Sequence, residues 1–169
     1  MSTPSFITRL IEEIRQKKTI VCIGLDPRLD GSQCIPKFIQ EEEQDANAAI
    51  WRFNKELIDA THDLAAIFKP QMAFYEKYEA LDALKKTIAY IHDKNGLAIL
   101  DAKRNDIGST SQAYADTVFD HFQADAVTVN SYFGIDGVKP FLEYLPEGKG
   151  VILLLKTSNP SSGEFQDLF

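Results

Sequence analysis

Leu97-Ala98-Ile99-Leu100-Asp101-Ala102-Lys103-Arg104-Asn105-Asp106 is the stretch from which the rest of this chain is read. Residues 97–100 are continuously apolar and follow the turn signal Asn95-Gly96, so they read as a short buried strand. The charges come immediately afterwards, at the spacing D-x-K-x-x-D. Successive side chains of a strand point to opposite faces, so Asp101 and Lys103 share one face at the strand's carboxyl end. In α/β folds that end is where ligands bind. A carboxylate beside an ammonium there is a candidate acid/base pair. Two plainer readings compete. The pair is a surface ion pair of little energetic weight, or Asp106 and Ser109 simply cap the helix that follows.

Working outward, the same alternation recurs on both sides. Apolar residues at 6, 7, 10, 11 and 14 predict a helix over 6–16. Residues 19–25 (TIVCIGL) predict a first strand, and 30–45 read as a polar loop around Gly31 and Pro36. A helix is expected over 45–63, a second strand over 64–68, a helix over 76–94 and one over 108–123. A fourth strand falls at 126–129, a short helix at 137–144 and a fifth strand at 151–155. The tail at 165–169 is placed to start a further helix. Strands alternating with helices imply a parallel sheet with right-handed crossovers. A doubly wound open sheet and a (β/α)8 barrel both satisfy that pattern. A barrel needs eight such units and typically ~250 residues.

The bulk composition narrows the function classes. With 169 residues, 44% of them hydrophobic, the chain can bury one core, so 1–169 is expected to be a single domain. Its net charge is −7 and no basic stripe is present, which argues against nucleic acid as a partner. Only two cysteines occur, Cys22 and Cys34, so a zinc site or disulfide framework is not expected and a reducing cytoplasm is the default setting. No apolar leader opens the chain and the longest apolar run, 151–155, is far too short for a bilayer, so no membrane association is expected.

Polar residues mark the other strand exits. Asp26 follows the first strand, where an Asp before Pro also reads as a turn former. Lys69 follows the second, where a lysine ordinarily snorkels to water; beside Asp101 and Lys103 it would join an array of alternating sign. Asn130 and Ser158 close the fourth and fifth strands and read equally well as turn caps. His62, His92 and His121 share no metal-binding spacing and read as ordinary helix residues. Phe74, Tyr75 and Tyr78 read as packing aromatics.

Taken together, GLDPR at 24–28, FKPQMAFYE at 68–76, DAKRNDIGST at 101–110, VTVNSYFG at 127–134 and KTSNPSS at 156–162 strongly resemble the orotidine 5′-phosphate decarboxylases, in particular the bacterial type 2 subgroup. Five strand-end motifs in order are specific, where D-x-K alone would be weak. The resemblance implies a dimeric (β/α)8 TIM barrel and cofactor-free, metal-free conversion of orotidine 5′-monophosphate to uridine 5′-monophosphate. It implies Lys103 as proton donor to C6, Asp101 against the scissile carboxylate, and Lys69 completing the array. Asp106 would reach into the partner subunit's site, with Ile107 and Thr110 nearby. Asp26 would bind a ribose hydroxyl, and Ser158 the pyrimidine edge. Sister sugar-phosphate decarboxylases and aldolases share D-x-K-x-x-D but hold Mg2+ with an acidic residue where this chain has Lys69. A nucleotide-binding fragment without catalysis is the other alternative.

Only about the first five β/α units of such a barrel are recognisable. The family's phosphate-gripping residues and closing loop would follow later strands. The chain is therefore expected to be C-terminally truncated relative to the family, retaining the charge array with little or no activity alone.

Overall fold

The computed structural model describes residues 3–168, and in them five parallel strands alternate with helices. The strands are β1 (Cys22–Leu25), β2 (Ile67–Pro70), β3 (Ile99–Arg104), β4 (Ala126–Asn130) and β5 (Gly150–Leu154). β1 pairs with β2, and β3 with β4 and β4 with β5, all parallel. Single parallel bridges at Phe68–Ala98 and Gln71–Asp101 join β2 to β3, so the strands run side by side in chain order. This is the arrangement of five consecutive staves of a (β/α)8 barrel.

The helices are α1 (Phe6–Lys17), α2 (Lys37–Glu42), α3 (Ala46–Thr61), α4 (Met72–Lys77), α5 (Leu81–Asp93), α6 (Gly108–Asp116), α7 (Ile135–Leu142) and α8 (Gly163–Gln166). Local chemistry sets their starts. Ser5 accepts from the Thr8 amide at the head of α1, and Asp45 from the Ala48 amide at the head of α3. The expected loop at 30–45 contains α2, a helix of 6 residues held by the buried Ile39 rather than by propensity. The expected helix over 76–94 is two helices, because Glu79 takes a left-handed φ of 53° and breaks the run. The helix expected to 123 ends in a π-helical turn at Thr117–His121. The second and third strands sit a few residues later than the apolar runs suggest, so Lys69, Asp101 and Lys103 lie within strands rather than after them.

Each strand has two differently used faces. Leu25, Phe68, Ala98, Leu100, Val127 and Val129 pack against Ile50, Ile58, Leu84, Ile88, Phe119 and Phe141 of the helical layer. On the opposite face, at the strands' amino ends, Ile67, Leu97, Ile99 and Ala126 pack with Phe6 of α1. Burying Phe6 there contributes about 1.5–3 kcal/mol. A Cβ on Gly150 would overlap the Phe6 ring, so β5 needs glycine at this point. Among the described residues, no helix is long and apolar enough to cross a membrane.

Asp125 ties this end together. Its carboxylate accepts from Arg9 of α1 at 2.6 Å, from the Ala98 amide at 2.8 Å, and lies 2.9 Å from His92 Nε2 of α5. Arg9 also donates to the Gly148 carbonyl. His92, read as an ordinary helix residue, is thus a partner of a buried acid. Burial pushes the Asp125 carboxyl up, but His92, the Ala98 amide and Arg9 outweigh it and hold it below the usual carboxylate value. Replacing Asp125 by Ala strands a buried amide and a guanidinium together. Asp125→Ala is expected to cost about 2–4 kcal/mol of folding stability, read as a lower urea midpoint with unchanged slope.

Candidate active site

The candidate functional end is the opposite one, where the strands deliver their carboxyl-terminal residues. Asp101 of β3 is at its centre and is only 5% exposed. Its Oδ2 accepts from Lys69 Nζ and from Gln71 Nε2, each at 3.0 Å. Its Oδ1 accepts from Lys103 Nζ at 2.5 Å and from the Thr128 hydroxyl at 2.8 Å. Strands β2, β3 and β4 therefore all converge on one carboxylate. The partners fill its lone pairs, which a buried acid requires if it is to stay ionised. Burial alone would raise the Asp101 carboxyl. Lys103, Lys69 and Thr128 overcome that and set it below its ordinary value. The surface ion-pair reading does not hold for this pair, because the acid is buried while both amines keep a path to solvent.

Lys103 reaches Asp101 through an irregularity. β3 and β4 are in register at Leu100–Val127 and again only at Arg104–Val129. Within this bulge Lys103 takes a left-handed φ of 49°. For a residue bearing a Cβ that costs about 1–3 kcal/mol, and such strain clusters where function requires a particular side-chain direction. Regular alternation, from which the shared face was expected, is thus not how the two side chains meet. A bulge re-aims a side chain, and here it turns the ammonium back toward the acid.

The scaffold and site now have a counterpart. Residues 19–168 match the model of the orotidine 5′-phosphate decarboxylase / HUMPS family. The chain belongs to that family. It is 44% identical to an orotidine 5′-phosphate decarboxylase of Cellvibrio japonicus, covering 97% of this chain and 58% of that protein. It is 45% identical to one of Petrotoga mobilis, covering 96% and 56% respectively. The structure of Leishmania donovani OMP decarboxylase aligns with a TM-score of 0.81 at 36% identity, over 98% of this chain and 59% of that one. The chain thus spans somewhat more than half the length of the relatives it matches.

Within this family member the remaining predicted residues fall on the same rim but outside the cluster. Asp26 is exposed just past β1. Asp106 is half-buried in the loop between β3 and α6, and its Oδ1 accepts from the Ile107 amide at 2.8 Å. It does not reach Lys103 among the described residues, and neither it nor Ser109 caps α6, whose cap position is Ile107. Ile107 and Thr110 are exposed, as is Ser158 beyond β5. A cleft of about 700 Å3 opens past the ends of β4 and β5, lined by Asn130, Tyr132, Leu154, Thr157, Phe165 and Gln166 and by none of the predicted site residues. Among the described residues no three His, Cys, Asp or Glu side chains gather where they could hold a metal ion.

Two members of the cluster were missed by sequence reasoning. Thr128 carried a weak signal, a hydroxyl inside the apolar run 126–129, but threonine is common in strands for its shape alone. Gln71 lies beyond the strand expected over 64–68, and its residue type and position carried no signal.

Because the folded Asp101 carboxyl is depressed, the stability it contributes is present above the unfolded carboxylate value. That contribution is lost as pH falls through the folded value. The stability difference between the parent and Asp101→Asn, measured by denaturant melts across the acid range, is therefore expected to be largest near neutrality. It should shrink below pH of about 4.

Proposed function

We propose that this chain carries the proton-donating centre of an orotidine 5′-monophosphate decarboxylase, within a single partial-barrel domain. The observation that carries this reading is the buried Asp101 carboxylate held between the Lys69 and Lys103 ammoniums at the strands' carboxyl ends. In the reaction the bond from C6 to the carboxylate breaks and CO2 leaves. The electron pair stays on C6, a position with no electron sink. A fixed cation next to that carbon stabilises the developing charge without reorganising. Lys103 supplies the cation and then its proton, giving uridine 5′-monophosphate, and is reprotonated from water. Asp101 holds the ammonium in place and opposes the substrate carboxylate in the ground state. Lys69 keeps Asp101 ionised and would contact a ribose hydroxyl, as the family resemblance implies.

The rim residues suit substrate binding and assembly. Asp26 and Ser158 are free to meet ribose and pyrimidine respectively. Asp106, with the exposed Ile107 and Thr110, suits a role across the interface of a homodimer, since among the described residues its carboxylate hydrogen-bonds just the Ile107 amide of its own loop. Both cysteines are free thiols, which fits a cytoplasmic enzyme. The Lys69 ammonium disfavours the metal-dependent sister chemistry, because it would repel a divalent ion next to Asp101.

Release of labelled CO2 from carboxyl-labelled orotidine 5′-monophosphate tests the assignment. Lys103→Ala is expected to abolish whatever CO2 release the parent chain shows, however small. A Lys103→Ala protein that retains the parent's measurable turnover would sink it.

A further inference from the structure

The bulge in β3 raises the question of what holds it. Between the registered pairs Leu100–Val127 and Arg104–Val129, residues 101, 102 and 103 of β3 face the single residue Thr128 of β4. An irregularity of this kind leaves backbone groups without ladder partners, and a buried unpaired amide is unfavourable. Thr128 is 7% exposed and meets that need with its side chain. Its hydroxyl oxygen accepts from the Lys103 amide at 3.1 Å and donates its proton to Asp101 Oδ1 at 2.8 Å. One hydroxyl thus holds the backbone of the amine-bearing residue and the carboxylate to which that amine is bonded. It uses its donor and an acceptor lone pair at once. Serine can reproduce that pattern and valine, of the same shape, cannot.

We propose that Thr128 is a positioning residue: its hydroxyl fastens the β3 bulge and so keeps the Lys103 ammonium turned back onto Asp101. This rests on the reading of Lys103 and Asp101 as the working pair of the site. It assigns the aim of the ammonium to a side chain on the neighbouring strand rather than to β3 itself. Without the hydroxyl, the Lys103 amide loses its acceptor, Asp101 loses one of its four donors, and the left-handed backbone at residue 103 loses its support.

The test is carbon-13 NMR titration of the Asp101 carboxyl in the full chain and in Thr128→Val, Thr128→Ser and Lys103→Ala. The titratable groups facing Asp101 are Lys69 from β2, Lys103 from β3 and Cys22 from β1, so its midpoint reports the whole array. Thr128→Val is expected to raise the midpoint by about one pH unit, a tenfold change in proton affinity. Thr128→Ser is expected to return it to within about 0.3 unit of the parent. An unchanged midpoint in Thr128→Val, or a serine variant that fails to restore it, overturns the proposal. Should Thr128→Val lose its native circular dichroism, Thr128→Ala replaces it with the same expectation; loss of fold in both variants assigns Thr128 to stability alone and also overturns it. Lys103→Ala separates the two readings. If it leaves the Asp101 midpoint unmoved, the charge array is what fails; if it raises the midpoint while Thr128→Val does not, only the role of Thr128 fails.

Discussion

A carboxylate withdrawn from water takes up a proton unless enough donors replace its hydration. The site here depends on that constraint being met at Asp101. Lys69, Gln71, Lys103 and Thr128 supply the donors, from three adjacent strands. With the acid kept ionised, the two amines can approach each other's neighbourhood without net repulsion. With the amines held, the acid remains charged in a nearly closed position. Each group stabilises the state in which the others are useful, and a site for carbanion chemistry needs such charges fixed before the reaction begins.

The strands carry a second buried acid at their other end, and the contrast is instructive. Asp125 binds Arg9, His92 and the Ala98 amide, tying α1 and α5 to the base of the sheet. Its partners are one guanidinium, one imidazole and one backbone amide, so its lone pairs are consumed by the scaffold. Asp101 is instead served by two lysines whose flexible stems keep a path to solvent. A lysine can lend and recover a proton, whereas an arginine cannot. The scaffold ties lie at the amino ends of the strands and the proposed chemistry at the carboxyl ends, the division of labour common to barrels of this type.

The bulge in β3 connects those two functions. It stores backbone strain at Lys103 and places the strained residue where its direction matters most. A regular strand would have been more comfortable locally. The surrounding contacts over-determine the irregular one, through the Thr128 hydroxyl on one side and the return to register at Arg104 on the other. Arg104 is itself anchored by Glu76 and by the face of Tyr114.

Much of this was legible in the order of residues. Apolar runs separated by amphipathic stretches determine the β–α alternation. The D-x-K-x-x-D segment puts opposite charges at a strand end, and Lys69 lies at the end of the strand before it. What those patterns could not carry was decided by tertiary contacts. Helix α2 is too short to announce itself and exists because Ile39 is buried. The break at Glu79 has no glycine or proline to signal it. The bulge, and with it the true reason Asp101 and Lys103 meet, arises from pairing with β4, a strand more than twenty residues away along the chain. By itself the sequence determined which groups stand at the strand ends, because periodicity and composition are local properties. Only the folded sheet decided which of them touch, because hydrogen bonds to a buried carboxylate are set by the register between strands and not by spacing within one.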